Sequence, residues 1–335
     1  MSGQSLAAAG AALLLALTAP AVANDTTAEI GAGGLVYGRN DVVAIADETL
    51  YLSIEKVRVD YVFRNNADYD VETVVAFPMP DIVMDPFSDI SIPRLDDNFM
   101  GFTVEVDGQP IQPELQQRAW AYGIDVTDVL TAAGLPVTPL DEYGDGLDSS
   151  HLTQEQIADL VARGMVLATH DPETGQYEQG LTPVWTLKSA YWWRMKFPAK
   201  AEIKVHHEYT PAVGGTVDVY FAEDEGKDQL KQYEDRYCID DSFLSALRKR
   251  QEEEKAKSGY GFTQRWLSYV LSTGGNWGEP IGHLRIIVDK GSAENLVSFC
   301  GEGVKKTGPT TFEMEKENFW PEKDFDVLLA MPVRP

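Results

Sequence analysis

The chain has 335 residues, 44% of them hydrophobic, which is enough for one large or two ordinary packed domains. Its 28 Lys and Arg stand against 53 Asp and Glu, a net charge of -25. A surface of that sign repels nucleic acid and anionic lipid and favours cationic partners or divalent ions, and it is also a common way for an exported protein to stay soluble.

Residues 1–23 carry an apolar run ending in Ala21-Val22-Ala23, the small-residue pattern of a secretory signal peptide cleaved after Ala23. The leading MSGQSL has no Lys or Arg, so the amino terminus alone supplies the positive end. The run is short for a membrane span, and no cysteine stands at the cleavage site to take a lipid. A mature chain from Asn24 is therefore expected, periplasmic or secreted, with no transmembrane anchor left. The following stretch to Gly38 reads as irregular, with Gly31, Gly33 and Gly34 in a turn.

Strands over 42–46 and 48–53 lead into the most strongly patterned stretch, residues 50–80. Val57, Val59, Tyr61 and Phe63 alternate with Arg58, Asp60 and Arg64 there, and after RNNADYD a second run aligns Val71, Thr73, Val75 and Phe77 before Pro78 and Pro80. Period-two alternation on both sides of a polar break predicts a hairpin with a long loop. A second hairpin is predicted over Phe102 to Ile111, turning at Asp107-Gly108.

From Gln112 the spacing becomes helical. Leu115, Ala119 and Tyr122 stack at helical intervals, Asp125 is placed to cap a short helix ending at Gly134, and Thr153 with Gln156 forms a capping box ahead of Ile157 and Leu160. The acidic run DEYGDGLDSSHL at 141–152 fails as a calcium loop, because Tyr143 and Leu152 occupy positions that need oxygen ligands. β-Pattern returns at Trp185, with Leu187, Tyr191, Trp193, Met195 and Phe197 opposite Lys188, Arg194 and Lys196. It continues through Ile203, Val205, His207 and Tyr209, and through Val217 to Phe221 after a turn at Gly214-Gly215. A charged helix over 240–256, capped by Asp240 or Asp241, precedes further strands near 262–271, 281–289, 296–300, 311–315 and 325–330.

The fold class expected is mainly β (α+β): a β-sandwich or paired antiparallel sheets with helical insertions. Its parts are a β-unit at 24–111, a helical insertion at 112–184 and a β-rich region at 185–335, the two β parts packing as one composite domain. The run V-x-V-x-Y-x-F-R-N from Val57, the V-x-A-F-P-M-P from Val74 and FTVEVDGQPI from Phe102 resemble the vault and inter-alpha-trypsin β-domain over about a quarter of the chain. Together with Y-W-W-R-x-x-F-P-A (Tyr191 to Ala199), H-x-Y-T-P-A-V-G-G (His207 to Gly215) and N-L-V-S-F-C (Asn295 to Cys300), the mature chain resembles the bacterial domain of unknown function 4424 family. That resemblance implies an architecture and an address outside the cytoplasm, and no reaction.

Catalytic templates fail on residues they require. HHEYTPA at His206 would need its second zinc histidine at Pro211, and GVKKTGPT from Gly303 puts Pro309 where a phosphate loop needs Lys. Cys238 and Cys300, an even pair in an exported chain, are expected to form a disulfide, the alternative being two buried thiols. His207 faces inward beside Tyr209, as a core histidine or a buried polar anchor. Trp192, Trp277 and Trp320 fall outside the core pattern and could line a ligand or interaction surface, or else cover sheet edges and turns. No metal, cofactor or catalytic residue is assigned. The leading expectation is a non-catalytic binding or interaction protein of the bacterial envelope, with a protein or saccharide partner and no nucleic acid. The alternatives are a hydrolase of envelope polymer using carboxylates such as Asp81, Asp85 and Asp89, and a small-ligand sensor or carrier. A catalytic site would require carboxylates or imidazoles from separate strands to meet in an open cleft.

Overall fold

A computed structural model describes residues 24–31, 34–84, 89–93, 98–138, 147–178 and 180–334. Within them the chain is mainly β, with three large, chiefly antiparallel sheets around one core, the class that the alternation predicts. An eight-stranded sheet has Val43–Leu52, Val57–Asn65 and Glu202–Tyr209 at its centre. Its inner face buries Leu50, Val57, Val59, Tyr61, Phe63 and Val205. Its outer face carries paired charges, such as Lys56 with Glu208 at 2.7 Å and Arg64 with Glu202 at 2.8 Å. Two further sheets contribute to the same core, a seven-stranded one built on Val71–Pro78 and Thr186–Phe197 and a five-stranded one built on Phe262–Tyr269 and Phe325–Pro332.

The stretch predicted as a long-looped hairpin is instead an arch between sheets. Val57–Asn65 pairs with Val43–Leu52 and Glu202–Tyr209, while Val71–Pro78 pairs with Thr26–Gly31 and Thr186–Phe197 in the seven-stranded sheet. Thr186–Phe197 and Glu202–Tyr209 make the same crossing, so two arches lie side by side. Buried Asn65 fastens them. Its Nδ2 donates to the carbonyls of Tyr69 (2.9 Å), Phe197 (3.0 Å) and Pro198 (3.2 Å), and its Oδ1 accepts from the Ala67 amide at 2.9 Å. Alternation shows that a strand has one buried face, and it is equally satisfied by a hairpin or an arch.

Other local expectations are also revised. The segment expected to be irregular after Asn24 is a pair of strands, Thr26–Gly31 and Gly34–Tyr37. The supposed helix at Leu115 is the strand Glu114–Ala121, paired along its length with Thr186–Phe197, so helical content in the 112–184 insertion begins only at Thr127. Asp125 accepts from the Thr127 amide at 3.0 Å, and the Thr153–Gln156 capping box is formed. Gly214 and Gly215 lie inside the strand Val213–Thr216 rather than in a turn, and Tyr220–Ala222 is a short 3-10 turn rather than a strand. A Cβ on Gly214 would stand 2.2 Å from Trp266 Nε1, so glycine there serves close approach of a neighbouring side chain.

Cys238 and Cys300 are joined in a disulfide that ties the end of the helix Lys227–Tyr237 to the strand Leu296–Phe299. Among the described residues no helix is long and apolar enough to cross a membrane.

Candidate functional site

A polar cluster lies in the core. Glu48 shares the inner face of Leu50 and Leu52 by simple alternation, and a bulge between Ile45 and Asp47, where the pairing of Val43–Leu52 with Val57–Asn65 shifts register, brings Val43 and Ile45 to that face as well. Gly282 on the adjacent strand makes room for that bulge, since a Cβ there would come within 2.5 Å of the Ala46 carbonyl oxygen. Asn24 and Asp25, the residues before the first strand, are pressed against Glu48 and His207 by the turn Ser272–Asn276. Thr273 Oγ1 donates to the Asn24 carbonyl at 2.7 Å, Trp277 Nε1 donates to the Asp25 carbonyl at 2.6 Å, and Asn276 Nδ2 donates to Thr26 Oγ1 at 2.9 Å.

Inside the cluster, His207 Nε2 stands 3.0 and 3.1 Å from the two carboxylate oxygens of Asp25. Asn24 Nδ2 donates to Glu48 Oε2 at 3.0 Å, and the Asn24 Oδ1 accepts from the Tyr61 hydroxyl. The Tyr61 and Tyr269 hydroxyls are 2.9 Å apart, and Tyr269 reaches Glu48 Oε1 at 3.4 Å. Asn24, Asp25, Glu48 and His207 are all fully buried. Burial raises the Asp25 carboxyl above its ordinary range against the opposing pull of His207, and burial pushes Glu48 up to about 8. The His207 ring is enclosed by Tyr61, Phe77, Phe102 and Trp193 at centroid separations of 5.1–5.5 Å. Among the described residues its Nδ1 has no hydrogen-bond partner, and neither have the Tyr209 hydroxyl and Trp193 Nε1. Carboxylates and an imidazole from separate elements do converge, but in a closed core rather than an open cleft, and among the described residues no nucleophile accepts from or donates to His207 Nδ1.

The open features lie elsewhere. A cleft of about 220 Å³ separates the edge of the seven-stranded sheet from the five-stranded one. Asp81 and Val83 line one side and Gly214, Arg236, Trp266 and Ser268 the other. Arg236 is held at 2.8 Å by Asp326 and at 3.2 Å by the Ser268 hydroxyl, and Lys188 pairs with Asp81, so the charged groups of the cleft are already oriented. A second, more polar groove of about 350 Å³ runs along the helix Asp241–Ser258, past Glu223, Arg248 and Lys255.

The residues singled out in the sequence do not form one surface. Trp277 is wholly buried and packs on Phe63 and Phe197, a correction to its placement at a ligand surface. His207 and Tyr209 are likewise inside the core. Trp192 packs with Ala28, Val74 and Ala76 under the N-terminal strands, and Trp320 is exposed but apart from the cleft. Of the carboxylates considered for hydrolysis, Asp81 is paired with Lys188, Asp85 lies outside the described residues, and only the backbone of Asp89 is described, in the strand Asp89–Ser91. The first half of the acidic run at 141–152 also lies outside them. His206 pairs with Asp60 at 2.7 Å and His283 with Asp47 at 2.8 Å, and among the described residues no three His, Cys, Asp or Glu side chains are grouped to hold one metal ion. Trp266 and Arg236 were missed because each sits in a stretch that reads as ordinary strand or charged helix.

The family model for the domain of unknown function DUF4424 matches residues 23–328. The chain belongs to this family. No curated protein matches the DUF4424 chain. Among solved structures, it is similar to a proposed nutrient-binding protein of Legionella pneumophila, at 14% identity and a TM-score of 0.42, covering 87% of this chain and 68% of that one. It is also similar to an M1 zinc metallopeptidase of Deinococcus radiodurans, at 8% identity and a TM-score of 0.22, covering 88% of this chain and 43% of that one.

Proposed function

We propose that this DUF4424 protein is an exported, non-catalytic binding protein of the bacterial envelope that holds a saccharide at the cleft beside Trp266. The observation that carries this reading is the division of labour in the molecule. The acid and imidazole groups suited to chemistry are enclosed in the core, whereas the open cleft presents an indole beside a guanidinium, a hydroxyl and a carboxylate held by partners of their own. A sugar ring offers one C–H face to an indole and a rim of hydroxyls to such groups, and a pre-oriented polar rim lowers the ordering cost of binding. The signal-like residues 1–23 and the Cys238–Cys300 bond, at home in an oxidising compartment, support export.

The test is a thermal-shift screen of the chain from Asn24 against envelope saccharides, short peptides and divalent ions, because a ligand that binds only the folded state raises Tm. A saccharide is expected to raise Tm, the shift being lost in Trp266→Ala and kept in Trp320→Ala. A shift given by peptides alone, or one that survives Trp266→Ala, overturns the assignment.

A further inference from the structure

We propose that the α-amino group released at Asn24 is a structural member of the buried cluster, so that cleavage after Ala23 completes the fold and the uncleaved chain cannot close its core. This rests on the export reading above. The amide nitrogen of Asn24 contacts Thr273 Oγ1, its carbonyl accepts from the same hydroxyl, and its side chain bridges Glu48 and Tyr61. The next residue holds His207. Asn24, Asp25 and Thr26 are fully buried, whereas chain termini ordinarily lie loose at the surface.

Charge points the same way. Two carboxylates, Asp25 and Glu48, face a single imidazole, His207. The other groups that act on them are the Asn24 side chain and the hydroxyls of Tyr61 and Tyr269, and the further charge that reaches Glu48 is Asp47, which makes the deficit worse. No Lys or Arg is among their described partners. Buried carboxylates need a cation or a proton, and the cluster is one cation short. Hydrolysis of the Ala23–Asn24 peptide bond consumes one water and leaves a carboxylate on Ala23 and an ammonium on Asn24. That converts a neutral amide with one N–H into a cation with three donors at the place where the deficit lies. Because a protease needs the bond exposed and Asn24 is enclosed in the folded chain, cleavage precedes closure of the core.

The experiment compares the chain beginning at Asn24 with the same chain retaining Ala23, each freed from an N-terminal fusion by proteolysis. The extended chain is expected to melt lower by roughly 5 °C or more. Glu48→Gln is then made in both. It should lower Tm when the amine is free and leave Tm unchanged or raised when Ala23 is retained. Equal Tm for the two chains, or the same effect of Glu48→Gln in both, overturns the proposal. Should the extended chain not fold at all, recovery of folding by Glu48→Gln supports it and failure to recover overturns it. Amino-terminal sequencing of the exported protein must read from Asn24. Any other terminus defeats this inference and leaves ligand binding at the cleft untouched, while an absent ligand shift with these results intact counts only against the binding reading.

Discussion

Glu48 shows how one residue couples backbone geometry to the behaviour of the whole core. Its place in the strand, in phase with Leu50 and Leu52, turns its carboxyl inward, and burial then pushes its pKa up to about 8, well above the ordinary value of 4.5. A carboxyl with a raised folded-state pKa binds a proton that the unfolded chain has released, so its contribution is complete below pH 4.5 and declines as pH rises towards 8. Asp25, also raised, acts in the same direction. In the chain that retains Ala23, urea midpoints should therefore fall between pH 5 and pH 8, by on the order of 3–5 kcal/mol in unfolding free energy. Glu48→Gln should flatten that fall, and a free ammonium at Asn24 should flatten it in the unsubstituted chain. A slope that Glu48→Gln leaves unchanged would place the titration elsewhere. Little of this cluster was legible in the sequence. His207 and Tyr209 announced their inward face by alternation, but Asn24 and Asp25 sit in a Gly- and Thr-rich stretch with no apolar period, and Glu48, although in phase with Leu50 and Leu52, is an acidic residue whose buried partners come from distant parts of the chain.

At the level of elements, most individual strands were readable and their partners were not. Val57–Asn65 buries one face and Val71–Pro78 buries both faces over its second half, and nothing local distinguishes a chain that folds back in one sheet from a chain that crosses to another. The deciding interactions come from sequence-distant residues: the side chain of Asn65 reaches the carbonyls of Phe197 and Pro198, joining two corners more than a hundred residues apart. Glu114–Ala121 was misread for a related reason, since its apolar residues satisfy a helical spacing until the long strand Thr186–Phe197 offers it a ladder. If Asn65 fastens the arches, Asn65→Ala should strand buried carbonyls at both corners and cost about 2–4 kcal/mol in urea unfolding, several times the effect expected of an exposed loop amide. Asn66→Ala, one residue on and pointing at Glu279 on the surface, is the matched control and should cost little. Equal costs for the two would mean that the arch is held by strand pairing alone.

Across the whole molecule, the distribution of apolar side chains sets which parts unfold together. One cluster takes residues from all three large sheets, Leu50, Phe77, Tyr191 and Leu329 among them, so the sheets share their main interior, although the five-stranded sheet also packs Phe262, Leu328 and Ala330 against Phe221, Tyr237 and Leu247 on its other face. The helical segment instead packs its own cluster, Leu130, Ile157, Leu160 and Leu181, on Ala119, Ala121 and Trp185 at the end of the seven-stranded sheet, with Trp185 Nε1 donating to the Val137 carbonyl at 2.8 Å. Such an outlying cluster can open while the sheets remain intact. Leu50→Ala should then lower the stability of the entire chain by about 2–5 kcal/mol. Leu160→Ala should speed amide hydrogen exchange in Gln154–Ala162 by roughly 30-fold or more while moving the global urea midpoint little. Because both leucines are buried and both substitutions remove the same atoms, a difference in readout isolates the cooperative boundary. A Leu160→Ala chain whose global midpoint falls as far as that of Leu50→Ala would join the helical segment to the sheets as one folding unit.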